Sequence, residues 1–66
     1  MQPGERFIRM PEVMSMTGLK TSTIYRLQAE SQFPQSIPLP GGRRAWLESE
    51  IRKFMQERVA LREAAN

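Results

Sequence analysis

The 66-residue sequence contains no cysteine and no histidine. Those absences remove disulfide staples, thiolate zinc sites, Cys or His nucleophiles and the usual imidazole base. Paired carboxylates placed for acid–base work are also missing, as is a glycine loop of the kind that cradles phosphate. The expectation is a chain without catalytic activity, cofactor or metal. No apolar run approaches the ~20 residues of a membrane-spanning helix, and none has the form of a signal-peptide core. A cytoplasmic location without membrane contact is therefore expected, which suits the lack of cysteine. A chain of this length makes one domain and buries only about 60% of its unfolded surface. Its small core must rest on packing, helped or not by a partner.

Charge is present and unevenly placed. Ten Lys and Arg oppose seven Asp and Glu, giving a net charge of +3 and a sequence pI near 10.2. Between Lys20 and Leu47, four bases (Lys20, Arg26, Arg43 and Arg44) face Glu30 alone. That local excess equals the whole net charge, so the flanking segments cancel. A basic surface of this kind attracts polyanions, nucleic acid first. Taken alone, the same charge would be ordinary for a soluble domain.

The central stretch runs Met16-Thr17-Gly18-Leu19-Lys20-Thr21-Ser22-Thr23-Ile24-Tyr25-Arg26-Leu27. Gly18 punctuates it, because helices often end on a residue with positive φ, which Gly adopts without a Cβ clash. Thr21, Ser22 and Thr23 carry hydroxyls able to accept from the free N–H groups of a new helix. Two helices joined by a short Gly-containing turn form a helix-turn-helix, whose second helix commonly enters the DNA major groove. On a helical wheel, Ile24 and Leu27 face inward while Ser22 and Arg26 lie opposite, flanked by Tyr25 and Ala29. An ordinary amphipathic helix with a solvated polar face fits those residues equally well, and the rest of the chain decides between the two.

Residues 1–5 read as a loose tail. Arg6 to Met10 alternates partly, as a short extended piece pairing with a later segment would. Pro11 and Glu12 suit a first helical turn, giving a helix over about residues 11–16 with Val13 inward and the nearby Met residues as adaptable packing. The second helix spans about 21–30 and is stopped by Phe33-Pro34, with Phe33 as a core plug. Residues 36–46 read as a two-stranded hairpin turning on Gly41-Gly42. Pro38 and Pro40 restrict its first strand to an edge. This wing carries Arg43 and Arg44 at or just past its tip, aimed at phosphate or the minor groove, and Trp46 pins it to the core. Glu48, Ser49 and Glu50 open a third helix over about 48–61, with Ile51, Phe54, Met55 and Val59 as its apolar stripe. Residues 62–66 are expected to fray. The reading is mainly α with a small hairpin: a winged helix-turn-helix over residues 6–61.

The ordered blocks Phe7-Ile8-Arg9-Met10-Pro11-Glu12-Val13, Thr17-Gly18-Leu19, Ser22-Thr23-Ile24-Tyr25-Arg26-Leu27, Phe33-Pro34 and Trp46-Leu47-Glu48-Ser49-Glu50-Ile51 resemble the AlpA family. These are small prophage-associated DNA-binding regulators, related to phage excisionases and MerR-type winged helices. The resemblance runs from about Arg6 to Arg58. It implies regulation of prophage transcription by direct duplex binding, with a recognition helix near 21–29 and a wing around 41–44. The sequence departs from the family pattern where Lys20 replaces a helix-entry Ser, which shifts the expected cap to Thr21. It departs again in a short wing before Trp46.

The candidate DNA-binding residues are therefore Lys20, Thr21, Ser22, Thr23, Tyr25 and Arg26 on the recognition helix, and Gly41, Gly42, Arg43 and Arg44 on the wing. Arg26 is the first candidate for a bidentate guanine contact. The small interface of one such domain favours a homodimer or several copies on double-stranded DNA. A second reading is an excisionase-like architectural factor or interaction module, holding a phage recombinase or regulator through the Leu61 edge and the tail.

Overall fold

Proline opens the first helix and glycine closes it. The computed structural model, which describes residues 5–65, has the order β1 (Phe7–Ile8), α1 (Met10–Thr17), α2 (Thr21–Ala29), β2 (Ile37–Leu39), β3 (Arg43–Leu47) and α3 (Glu48–Ala65). Pro11 lies in the first turn of α1, where its missing N–H breaks no intrahelical bond. Gly18 ends α1 in the left-handed region at φ 73°, its N–H bonded to the Met14 carbonyl at 2.8 Å. After Leu19 and Lys20, α2 begins, completing the helix-turn-helix. Its exit is a Schellman closure: Gln32 N–H reaches the Leu27 carbonyl at 2.8 Å, and Ser31 N–H reaches that of Gln28 at 3.0 Å. Ser31 takes the left-handed position there, at φ 58°.

The sheet has three antiparallel strands rather than two, in the order β1-β3-β2. Phe7 and Ile8 face Leu47 and Trp46, while Ile37, Pro38 and Leu39 face Ala45, Arg44 and Arg43. β3 is thus central, and Pro38 occupies an edge strand, where a missing donor is tolerated. The strand alternation buries Ile8, and a tight pair, Ala45 and Trp46, sits beneath the wing.

Val13, Ile24, Phe33 and Ile51 complete the core with these residues. Met10, Met14, Met16, Leu19, Leu27, Phe54 and Met55 pack around it. Trp46 buries its ring fully and donates Nε1–H to the Pro34 carbonyl at 3.0 Å, so its one polar atom is satisfied. Phe33 and Phe54 meet with centroids 4.7 Å apart in a tilted arrangement. The helical stripe of α3 is shorter in practice than its sequence period: Val59 is 45% exposed and Leu61 57%. Past Met55 the helix has left the core behind, and its last turns face solvent.

Several boundaries shift from expectation. α1 begins one residue earlier and ends one later, and α2 stops at Ala29 with Glu30 as its cap. α3 continues to Ala65, four residues beyond its expected end. The expected tail lies outside the described residues except for Glu5, which is anchored. Its carboxylate accepts from the Ser49 hydroxyl at 2.8 Å and the Ser49 N–H at 3.4 Å, filling the role of an N-terminal cap for α3.

Candidate nucleic-acid interface

On α2, a three-to-four-residue period buries Ile24 and half-buries Leu27, leaving Thr21, Ser22, Tyr25 and Arg26 exposed. Thr23 turns partly inward and is half-buried. The capping role expected of the Thr and Ser hydroxyls is not adopted. Lys20 is the N-cap in extended conformation without a side-chain cap, and the Thr21 hydroxyl donates to Met14 Sδ at 3.3 Å. The helix entrance therefore keeps unsatisfied N–H groups beside an exposed Lys20, which leaves it electropositive.

The wing turns through Pro40, Gly41 and Gly42, with φ of 83° and 73° at the two glycines. No atom lies within 4 Å of where a Cβ would stand at either, so the positive φ, rather than crowding, is what calls for Gly. Arg43 and Arg44 are exposed and are the first residues of β3, just past the tip. They pair with Leu39 and Pro38 across the hairpin.

α2 and the wing meet at a cleft of about 280 Å³. Tyr25 contributes one wall, Gly42, Arg43 and Arg44 another, and Arg9 a third. Arg9 was absent from the sequence-based site. It precedes α1 as its N-cap residue and donates Nε–H to the Arg44 carbonyl at 3.0 Å, 35 residues away. Local pattern carries no trace of that contact; the basic residue at the start of the α1 block was the sole hint.

Arg26 is set apart from this cleft. It lies on the other flank of α2, lining a groove of about 500 Å³ between α2 and α3. Met16, Leu19, Leu27, Phe54 and Met55 line that groove, with Arg58 opposite Arg26. The Arg26 guanidinium also reaches Glu30 at 3.5 Å, a long exposed pair worth little energetically.

Ion pairing sorts the bases by place. Arg6 is bound to both Glu12 and Glu48, the latter at 2.9 Å, and Arg52 also faces Glu48 at 3.5 Å. The carboxylate of Glu12 raises the Arg6 pKa above its ordinary value, Glu48 adding to the effect. Hydrogen bonding from Arg6 in turn holds the Glu48 carboxyl below the usual range. Arg9, Lys20, Arg43 and Arg44 have no carboxylate within ion-pairing distance among the described residues. The pairs of Arg6 and Arg52 thus sit where the first strand and two helices meet, while Arg9, Lys20, Arg43 and Arg44 leave unpaired positive charge around the α2 entrance and the wing; Lys53 and Arg58 on α3 are likewise unpaired among the described residues.

A family model described as prophage CP4-57 regulatory protein (AlpA) matches residues 6–59. The chain belongs to the AlpA family. The match opens on Arg6, which ties α1 to α3, and closes at Val59, where α3 has already left the core. The chain is also similar to the uncharacterized protein ORF88 of Enterobacteria phage P4, with 48% identity over 56 residues. That alignment covers 85% of this chain and 64% of the phage protein, so the chain spans just under two thirds of the length of that relative. Among the described residues no helix is long and apolar enough to cross a membrane.

Proposed function

We propose that this AlpA-family chain is a sequence-specific, double-stranded DNA-binding transcriptional regulator that acts without catalysis. α2 enters the major groove, presenting Thr21, Ser22, Tyr25 and Arg26 to base edges, with Thr23 at its margin. The wing lies along the backbone or the minor groove through Gly41, Gly42, Arg43 and Arg44, and Lys20 neutralises phosphate at the helix entrance. The observation that carries this reading is the junction of α2 and wing in one concavity, surrounded by bases that no carboxylate neutralises. Free guanidiniums release counterions when they meet phosphate, whereas bases already paired contribute much less.

The experiment is fluorescence anisotropy of the chain on the DNA upstream of its own gene and on a scrambled duplex, across a salt series. With about four phosphates engaged, log K falls against log salt with a slope near −3.6, about −0.9 per phosphate. A preference of roughly tenfold or more for the native duplex supports the regulator, since one good base contact contributes about 1–3 kcal/mol of discrimination. Equal weak binding to both duplexes, vanishing by physiological salt, removes it.

The exposed end of α3, with Val59 and Leu61, favours a second reading in which the chain holds a recombinase or another regulator. The double variant Arg26→Ala with Arg43→Ala separates the two, because an interaction module keeps its partner affinity while a DNA reader loses its duplex.

A further inference from the structure

Arg9 is the one base of the cleft that comes from neither α2 nor the wing. Its guanidinium presents five donors in a fixed fork. One of them, Nε–H, is committed to the Arg44 carbonyl at 3.0 Å. Arg9 has no carboxylate partner among the described residues, and its side chain is exposed. The terminal amino groups of the fork remain for a ligand. Around it, the cleft sets the Tyr25 phenol and the Arg43 and Arg44 side chains, and no acidic residue contributes to the lining.

From this we infer a built phosphodiester site at the junction of three elements: the N-cap of α1, the outer face of α2 and the root of the wing. Arg9 holds the wing by its Nε–H and takes one backbone phosphate with the opposite edge of its guanidinium. Tyr25 donates its hydroxyl to the same group, and Arg43 and Arg44 supply further positive charge. The bound phosphate thereby fixes the angle between the recognition helix and the wing, so that both are read in one register along the duplex. Contacts to phosphate position a protein in this way without reading bases themselves. The site rests on the DNA-binding reading and adds to it a particular residue and a particular kind of contact.

The test replaces the phosphates of the bound duplex one at a time by neutral methylphosphonates and measures the affinity of the wild-type chain and of Arg9→Gln. One position should weaken the wild type by roughly tenfold, the size of a hydrogen bond to a charged group. At that position Arg9→Gln should lose almost nothing further. Its salt slope should also be shallower by about 0.9, one phosphate. The amide signals of Gly41 and Gly42 report whether the wing survives the substitution. If they move, Arg9→Lys takes over: its ammonium keeps a donor for the Arg44 carbonyl but lacks the second edge of the fork, so the same coupling should appear with the wing intact.

Steep wild-type binding in which every methylphosphonate costs wild type and both variants the same factor overturns the Arg9 site and leaves the regulator reading standing. No duplex binding by the wild type overturns both.

Discussion

Two residues in the left-handed region show how much of this chain rests on single φ angles. Gly18 and Ser31 end consecutive helices with φ of 73° and 58°. At Gly18 the site is sterically open, with nothing within 4 Å of a Cβ, so an Ala there meets only the backbone penalty. Gly18→Ala should cost about 1 kcal/mol, the lower end of the left-handed penalty for an L residue. At Ser31 the same penalty is already present in the native chain. Ser31→Gly should therefore raise stability by about 0.5–1 kcal/mol, since the relieved strain exceeds the entropy that Gly adds to the unfolded state. Urea unfolding of the two variants checks both signs, and two changes in the same direction would contradict the argument. The pair also explains an asymmetry in legibility. Gly18 announces its turn from the sequence, whereas Ser31 hides an equivalent turn behind a residue type that usually sits elsewhere.

Among the elements, the first strand and the third helix are held together by charge as much as by packing. Arg6 bridges Glu12 at the start of α1 and Glu48 at the start of α3, and its carbonyl accepts the Glu48 N–H at 3.0 Å. Because Arg6 depresses the Glu48 pKa, this contribution is complete above the unfolded value of about 4.3 and disappears as pH falls through the lower folded value. Glu48→Gln should lower Tm at neutral pH, and its difference from wild type should close as the solution is acidified. Melts followed by circular dichroism at a series of pH values would show the gap narrowing; a constant gap would mean that Glu48 acts through packing. The far end of α3 behaves differently. Truncation after Val59 removes exposed helix beyond the core, so stability should change by less than about 0.5 kcal/mol, as for other exposed positions.

These elements were legible to different degrees for physical reasons. The helix-turn-helix, the Gly-Gly wing and the inward Trp46 follow from local chemistry: positive φ, proline exclusion and the cost of leaving a large ring in water. β1 falls within the short extended piece expected at Arg6 to Met10, but its two residues are too few for periodicity to name the partner, which lies some forty positions away in β3. Arg9 escaped for the same reason, since its role depends on a carbonyl of the wing. Arg26 was placed correctly on the polar side of α2, but the wheel could not tell that α3 stands beside that flank and the wing beside the other.

For the molecule as a whole, the proposed duplex binding would couple to stability through the bases that make no ion pair among the described residues. With seven buried hydrophobic residues among those described, the free domain has a small reserve of stability. A duplex that binds the folded chain alone adds stability by mass action, about 2.7 kcal/mol when its free concentration is a hundred times Kd. That gain should appear as a rise in Tm with the native duplex, and it should shrink as salt is added, because counterion release drives the binding. Removing an unpaired base should weaken the salt dependence of the gain while leaving the melting of the free chain nearly unchanged, since Arg43 makes no ion pair among the described residues. Removing Arg6 should do the reverse: it should lower the melting of the free chain and leave the salt dependence of the gain as it was. Thermal melts of Arg43→Gln and Arg6→Gln, each with and without duplex at two salt concentrations, test that division directly. If both variants shift both quantities together, binding and folding draw on the same charges, and the partition seen in the structure does not operate in solution.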